Sequence, residues 1–599
     1  MFLATTALSE FWDKDQEILF LGSWCLRYDR RAEWQNLQYR VLEDPWADRR
    51  LVAEAFRYCT EVFEHTLTEL TEYLNGVHGV EHSSRYWRVL LGPWLLEYIQ
   101  ALYDRYVHMR AALEQAPGLT TMCLASECFV TPRNLRDFRE WSPDDPYNLQ
   151  LYSQVIGLMG KDMPTQTWSV AVAPVFVRGT SRVSTTGLPV KRLVNRLAAH
   201  FASQAVIANM SIGAGSLWEI IREGRFRVWP VAADPPEPED TIAVSDLRAG
   251  LSSLKARDEF EKILMCSLAI NLPTLYLEGY KEFRRRCLKG WRRVPRVVMS
   301  ENGWYTNESF KFRAAEWAEG GARLLGMQHG GGYGTSAMVP QEWHERMITD
   351  RFFAWGWAES ERDGRLANMP HPRLCRFAES ARRPGFYGEG LLLIANAYLR
   401  FPYRFHAAPI GDQVEQYLDD RIMFLNGLSG SAQNEAAVRL YPTDYGWAAK
   451  QRLVESCANL RFDDIAVPCE KRLASCRLAV FDHPGTTYLE GLALNVPTVL
   501  FWRPSLWEER EPARPFFAEL RKALILHDDP KTAAAHASAV YDDPWRWWGS
   551  EEVQAARRRF VERFAYARAD WVKLWTEALR SEASAAGSAV EATGARAEA

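Results

Sequence analysis

The sequence predicts an α/β chain built as two halves, each a sheet flanked by helices, joined near residue 385. Its 599 residues exceed what one hydrophobic core supports, so at least two cores are expected. Short apolar runs of strand type recur, each stopped by glycine or polar residues and often followed by helical spacing. In the second half such runs alternate with helical stretches, the pattern of a parallel sheet covered on both faces.

Taken in chain order, Ile18-Leu19-Phe20-Leu21-Gly22 reads as a first buried strand. From about 48 to 116 the spacing turns helical, with Val52, Phe56, Cys59, Val62, Phe63 and Leu67 on one face and a second helix near 92 to 114. The stretch 117 to 230 is less regular, with a helix expected from Leu193 to Met210. Prolines and acids from Ala232 to Asp240 predict a surface loop. Arg296 to Ser300 and Arg323 to His329 then read as strands of βα units, whose carboxyl ends commonly hold ligands. Arg382-Arg383-Pro384-Gly385 marks the junction, ahead of a strand at 390 to 395. Further strands are expected at 437 to 440, 478 to 481 and 497 to 501. Residues 551 to 580 read as one charged amphipathic helix, and 581 to 599, rich in Ala, Ser, Gly and Glu, as a disordered tail. The expected division is therefore 1–384 with helical insertions, 385–550, 551–580 and 581–599.

Hydrophobic residues at 47% and charged residues at 25% are those of a globular chain. A net charge of -4 gives no global field to gather nucleic acid, so any anion site must be local. The 10 cysteines show no CxxC pair and no metal spacing, and the first residues do not read as a leader. The cytoplasm is the expected location, with no metal and no bound cofactor. No window reaches the roughly 18 to 20 apolar residues of a span, which leaves peripheral contact, at the inner face of a membrane, as the expected membrane role. Aromatic rings, including 24 Trp, can stack on sugars but more often fill cores.

Three blocks carry candidate chemistry. The first runs from the strand at 478 to 481 through Asp482-His483-Pro484-Gly485-Thr486-Thr487 to Glu490. Pro and Gly force a turn, Thr486 or Thr487 is placed to cap a helix, and the free N–H groups of a helix start bind phosphate, with His483 adding a hydrogen bond or a charge. Glu490, one turn in, can reach ribose hydroxyls. The plainer alternative makes His483 a core residue, Thr486 a cap and Glu490 a helix-start acid. The second block joins Ser300-Glu301-Asn302-Gly303 with Gln328-His329-Gly330-Gly331-Gly332. His329 at a strand end can accept a proton from a sugar hydroxyl; Glu301 can be the base instead, or can orient His329. An incidental histidine in a flexible turn is the alternative. In the third block Arg439 ends a strand and offers a donor fork suited to phosphate, or else pairs with a surface acid.

With these blocks on view, the chain resembles the surface-carbohydrate transferases of the LIC12162 family. The resemblance runs through Phe2-Leu3-Ala4-Thr5-Thr6, Leu19 to Cys25, Leu91-Gly92-Pro93-Trp94-Leu95, Gln328-His329-Gly330-Gly331 and His483-Pro484-Gly485-Thr486-Thr487, over roughly residues 2 to 575. It is more distantly similar to capsule Kdo transferases, sialyltransferase-like enzymes and CDP-glycerol glycerophosphotransferases. That resemblance implies a GT-B fold, two Rossmann-like domains facing a cleft, with an acceptor-side first domain, a nucleotide-sugar-binding second domain and a last helix crossing back. It implies that His483 contacts a donor phosphate with Thr486 and Thr487 capping it, and that His329 faces the cleft. Tyr441-Pro442 stands where relatives often carry His-Pro, a departure that weakens the assignment around Arg439.

The expected activity is a metal-independent glycosyltransferase moving a sugar, such as a CMP-linked ulosonic acid of the Kdo kind, from a nucleotide donor to a lipopolysaccharide or capsule-type glycan, free or lipid-linked. A CDP-linked glycerol or polyol-phosphate transferase is the rival enzyme, and a non-catalytic glycan-binding assembly protein the rival of another class.

Overall fold

The structure is a computed structural model that describes residues 1–168, 188–234, 237, 241–358, 364–383 and 385–597. Most of the proline and acid loop at 232–240 and Pro384 of the junction lie outside them.

Among the described residues the first half holds three sheets rather than one. A small parallel sheet, β1 (Phe2–Ala4), β2 (Ile18–Phe20) and β3 (Tyr39–Val41), in that order, packs against long helices at Arg49–His78 and Gly92–Gln115. Asp48 caps the first of these by accepting from the Arg50 N–H, and Gly79 ends it at a left-handed φ of 64°. A two-stranded pair, β4 (Cys123–Leu124) and β5 (Thr165–Gln166), lies nearby. A six-stranded parallel sheet follows: β6 (Ala205–Ala208), β7 (Val228–Pro230), β8 (Val297–Ser300), β9 (Arg323–Met327), β10 (Arg351–Ala354) and β11 (Leu366–Asn368), in the spatial order β7-β6-β8-β9-β10-β11. The direction of winding reverses between β6 and β8.

The second half is a six-stranded parallel sheet of β12 (Leu391–Ile394), β13 (Ala436–Arg439), β14 (Arg461–Phe462), β15 (Leu478–Phe481), β16 (Thr498–Phe501) and β17 (Leu526–His527). Its order, β14-β13-β12-β15-β16-β17, is that of a Rossmann fold, and its winding reverses between β12 and β15. The inner strands β12, β15 and β16 are fully buried, which is why they read as unbroken apolar runs.

Three expectations are corrected. The helix expected from Leu193 to Met210 is the helix Leu188–Phe201 followed by β6, because Ala205-Val206-Ile207-Ala208 is short enough to be read either way. Residues 551 to 580 form not one helix but parts of two, Glu551–Phe564 and Trp571–Ala597. Between them the Tyr566 N–H bonds the Trp355 carbonyl and the Tyr566 carbonyl accepts from the His371 N–H, so the break is held by the loops that follow β10 and β11. Helix continues to Ala597 where a disordered tail was expected, and Ala583 and Ala586 are buried. This last helix lies on the first half: Glu582 pairs with Arg323 and Arg351, at the starts of β9 and β10.

Candidate functional site

The carboxyl ends of both large sheets face one another across a cavity of about 440 Å³ lined by residues of both halves, among them Tyr305, His329, Arg404, His406, His483 and Trp507. His483 and His329 thus reach one space from opposite sides.

On the second-half side, β15 delivers Asp482 and His483 beside the point where the winding reverses. Asp482 is buried and accepts from Arg421 Nε at 2.7 Å and from the Tyr417 hydroxyl at 2.7 Å. Burial pushes its carboxyl up, but Arg421 and His483 overcome this and hold it below the ordinary carboxylate value. His483 Nδ1 lies 2.9 Å from Asp482 Oδ1, so the ring is fixed through one nitrogen and presents Nε2 to the cavity side. Such a ring accepts a proton when neutral and donates from Nε2 when charged.

The turn beyond it is packed against the other half. Gly485, not Thr486 or Thr487, is the cap residue of the helix Thr486–Ala493, and no side chain caps that helix. The Thr486 hydroxyl instead accepts from the Gly331 N–H at 3.1 Å, so the expected cap is an interdomain tie. A Cβ on Gly331 would stand 2.3 Å from the Gly485 carbonyl oxygen, which leaves glycine as the residue that fits. Gly485 lines the cavity; Thr487 shares the turn without lining it. Glu490 is turned away altogether, buried and paired with Arg373 of the first half at 2.9 Å, its carboxyl pushed up to about 7 by burial against the pull of Arg373. It therefore does not serve the expected ribose contact.

On the first-half side, His329 follows β9. Its Nε2 lies 2.8 Å from Glu345 Oε1 and 2.8 Å from the Tyr333 hydroxyl, which itself donates to Glu345 Oε2 at 3.1 Å. Glu345 is fully buried in the helix Pro340–Ile348. Burial disfavours charge on His329, yet the Glu345 carboxylate, helped by Glu301, outweighs it and raises the imidazole pKa above its ordinary value. With Nε2–H given to Glu345, Nδ1 is left to accept a proton. Gln328 sets the loop by donating to the Gly330 carbonyl at 2.9 Å and accepting from Trp357 at 2.6 Å.

Glu301 is neither a base facing the cavity nor the partner that orients His329. Its buried carboxylate accepts from the Ser211 N–H at 2.7 Å and hydroxyl at 3.1 Å and stands 3.4 Å from His371 Nε2. Arg439 is likewise committed elsewhere, to Asp463 and to the carbonyls of Asp464, Ile465 and Val467 at 3.1, 3.3 and 2.8 Å. It braces the loop after β14 and does not line the cavity.

Three residues escaped sequence reasoning. Glu345 was hidden in an ordinary helix. Arg404 and His406 lie in the segment after β12, and the only signal available was that this segment leaves the strand next to the reversal point. Arg404 stacks on the Tyr403 ring at 5.6 Å and has no carboxylate within ion-pair distance among the described residues. His406 is kept well below its ordinary value by burial and by Arg404 and Arg49, so it is neutral. The segment is held by the amino-terminal unit: Arg400 pairs with buried Asp145, Arg105 donates to the Pro402 carbonyl, and the Phe405 N–H bonds Gln100 at 2.6 Å.

Two doubly wound parallel sheets facing a shared cavity, with the last helix returning to the first half, define the GT-B architecture of transferases. Within that class the chain belongs to the LIC12162 family of transferases, whose sequence profile matches residues 1–579. No curated protein matches it in sequence. Solved structures similar to it include S. aureus MnaA with UDP, at 9% identity over 62% of this chain and 93% of that one, with a TM-score of 0.34. UDP-GlcNAc 2-epimerase from Neisseria meningitidis bound to UDP-GlcNAc follows at 10% identity, 60% and 98% coverage and a TM-score of 0.32. WaaG, a glycosyltransferase involved in lipopolysaccharide biosynthesis, matches at 11% identity, 63% and 99% coverage and a TM-score of 0.26. At such scores the architecture rests on the strand orders of this chain itself.

Proposed function

We propose that the chain is a glycosyltransferase that moves a sugar, such as a CMP-linked ulosonic acid, from a nucleotide donor to a glycan acceptor of lipopolysaccharide or capsule type, working in the cytoplasm at the inner membrane face. One observation carries this reading: two histidines from opposite halves, each backed by a carboxylate, line one cavity together with Arg404, which has no carboxylate partner among the described residues.

The donor phosphate sits beside His483, the turn at Gly485 and Arg404, where the leaving group's charge is met by cations of the chain without a divalent ion. The nucleoside extends past Asn396 into an adjoining apolar pocket of about 290 Å³, where Tyr441, Tyr445 and Phe462 offer rings to a base. The acceptor hydroxyl approaches from the first half, and His329 Nδ1 takes its proton while Glu345 steadies the imidazolium. Closure of the two halves around the donor excludes water from it.

The test is a thermal-shift panel of CMP, CDP, UDP and their sugars, followed by donor turnover with CMP-ulosonate, CDP-glycerol and UDP-sugars. A matching nucleotide at about a hundred times its Kd stabilises the fold by about 2.7 kcal/mol. Turnover of CDP-glycerol alone makes the chain a polyol-phosphate transferase. A chain that binds glycans while no nucleotide shifts its melting and no donor is consumed is an assembly protein, and the reading fails.

A further inference from the structure

The outer edge of the six-stranded sheet in the first half carries a second surface. β7 is the edge strand, and four rings run across it. Trp218 packs against Phe226 with centroids 5.8 Å apart, Trp229 donates its indole N–H to the Phe226 carbonyl at 2.7 Å, and Phe201 stacks on Trp229 at 5.5 Å. Trp218 is 54% exposed and Phe226 44%. On the adjoining helix Leu188–Phe201, Val190 is 65% exposed, and Leu193 and Phe201 are exposed with it. Contiguous apolar exposure of this kind marks an interaction site. The backbone is held in an unfavourable shape to present it: Arg225 and Phe226 both occupy the left-handed region, at φ 51° and 58°, which side chains normally avoid.

The same edge is cationic. Between residues 188 and 230 Lys191, Arg192, Arg196, Arg222, Arg225 and Arg227 outnumber Glu219 and Glu223, in a chain of net charge -4; Arg192 lies 3.8 Å from Asp234 and Arg222 3.6 Å from Glu223. We propose that this edge docks on an anionic lipid bilayer, its rings entering the boundary between headgroups and acyl chains while the arginines meet lipid phosphates. Val190 and Leu193 favour a bilayer over a single-stranded nucleic acid, because aliphatic side chains offer acyl chains a contact and give bases nothing to stack on. No helix among the described residues is long and apolar enough to cross a membrane, so the contact is peripheral.

The surface and the cavity share a half of the molecule. Beyond β6, the strand paired with β7, the Asn209 side chain accepts from Asn307 at 2.9 Å, next to Thr306 on the cavity wall. Phe201 and Phe226 precede β6 and β7, so the patch sits toward the amino ends of the sheet whose carboxyl ends face the cavity, and bilayer binding does not rest on the transferase reading.

Flotation of the full-length chain with vesicles of phosphatidylcholine, alone or mixed with phosphatidylglycerol, tests the proposal. Binding is expected with the anionic mixture only and weakens as salt rises. Trp218→Ser with Phe226→Ser lowers the partition about tenfold or more, and Arg225→Ala with Arg227→Ala lowers it about fivefold per arginine. Melting temperature and nucleotide-induced shifts stay unchanged in both variants, which separates failure of this surface from failure of the transferase reading. Equal partition into neutral vesicles, wild-type partition of well-folded variants, absence of binding, or stronger capture by a single-stranded oligonucleotide at the same salt overturns it.

Discussion

The two six-stranded sheets obey one topological rule and use it differently. In the second half the reversal between β12 and β15 opens into the cavity, and His483 stands there with one ring nitrogen tied to Asp482. In the first half the reversal between β6 and β8 is plugged, because Glu301 fills it with bonds to Ser211 and a close approach to His371. The histidine that faces the cavity comes instead from the end of β9, one strand further on. A reversal point marks where a crevice can form; whether it holds a ligand depends on what the strand ends put into it.

The sharpest way to break this contrast is to remove each histidine in turn. His329→Ala is expected to lower kcat by about 10²- to 10⁴-fold while nucleotide binding survives. His483→Ala is expected to cost about 10²- to 10³-fold and also to abolish the nucleotide-induced thermal shift. Next comes Glu345→Gln, with kcat down about 10- to 100-fold. Because Glu345 raises the His329 pKa, the rising limb of kcat/KM against pH lies above the ordinary histidine value in the wild type and moves toward lower pH in this variant. An unmoved limb would detach Glu345 from the proton transfer.

Glu301→Gln measures the plug. A loss of about 1–3 kcal/mol in stability is expected, with turnover of the folded protein reduced less than in His329→Ala; a loss as deep as that of His329→Ala would return Glu301 to the chemistry. Arg439→Ala sharpens the same point in the second half, costing stability of similar size without changing the nucleotide-induced shift.

The smallest effect concerns Glu490. Its folded pKa of about 7 lies above the roughly 4.3 of an unfolded chain, so the protonated form is favoured by folding. Its contribution is complete below the unfolded value and is lost as pH rises through about 7. Glu490→Gln should therefore flatten the fall in melting temperature between about pH 4.3 and pH 7.

Legibility followed burial and locality. β8, β9, β12, β13, β15 and β16 could be read because central parallel strands write themselves as apolar runs. β6 could not, since four small and branched residues behind a helix keep no period of their own. The turn at Gly485 and the glycines around His329 were visible for the same local reason. What could not be seen was pairing at a distance: that Thr486 would serve Gly331, Glu490 would serve Arg373 and Glu345 would serve His329. Charge and hydroxyl groups advertise capability, and the tertiary partner decides the employment.

The segment after β12 has a consequence for how the molecule is assembled. Phe401, Phe405 and Ile410 are buried in the same cluster as Trp24 and Trp46. A chain emerging from the ribosome amino end first leaves a socket vacant until synthesis has passed Ile410, more than half its length later. Cutting at the junction near 385 would part socket from plug, so fragments made on either side are expected to expose greasy surface and to clump, or to find each other, rather than to live as separate domains.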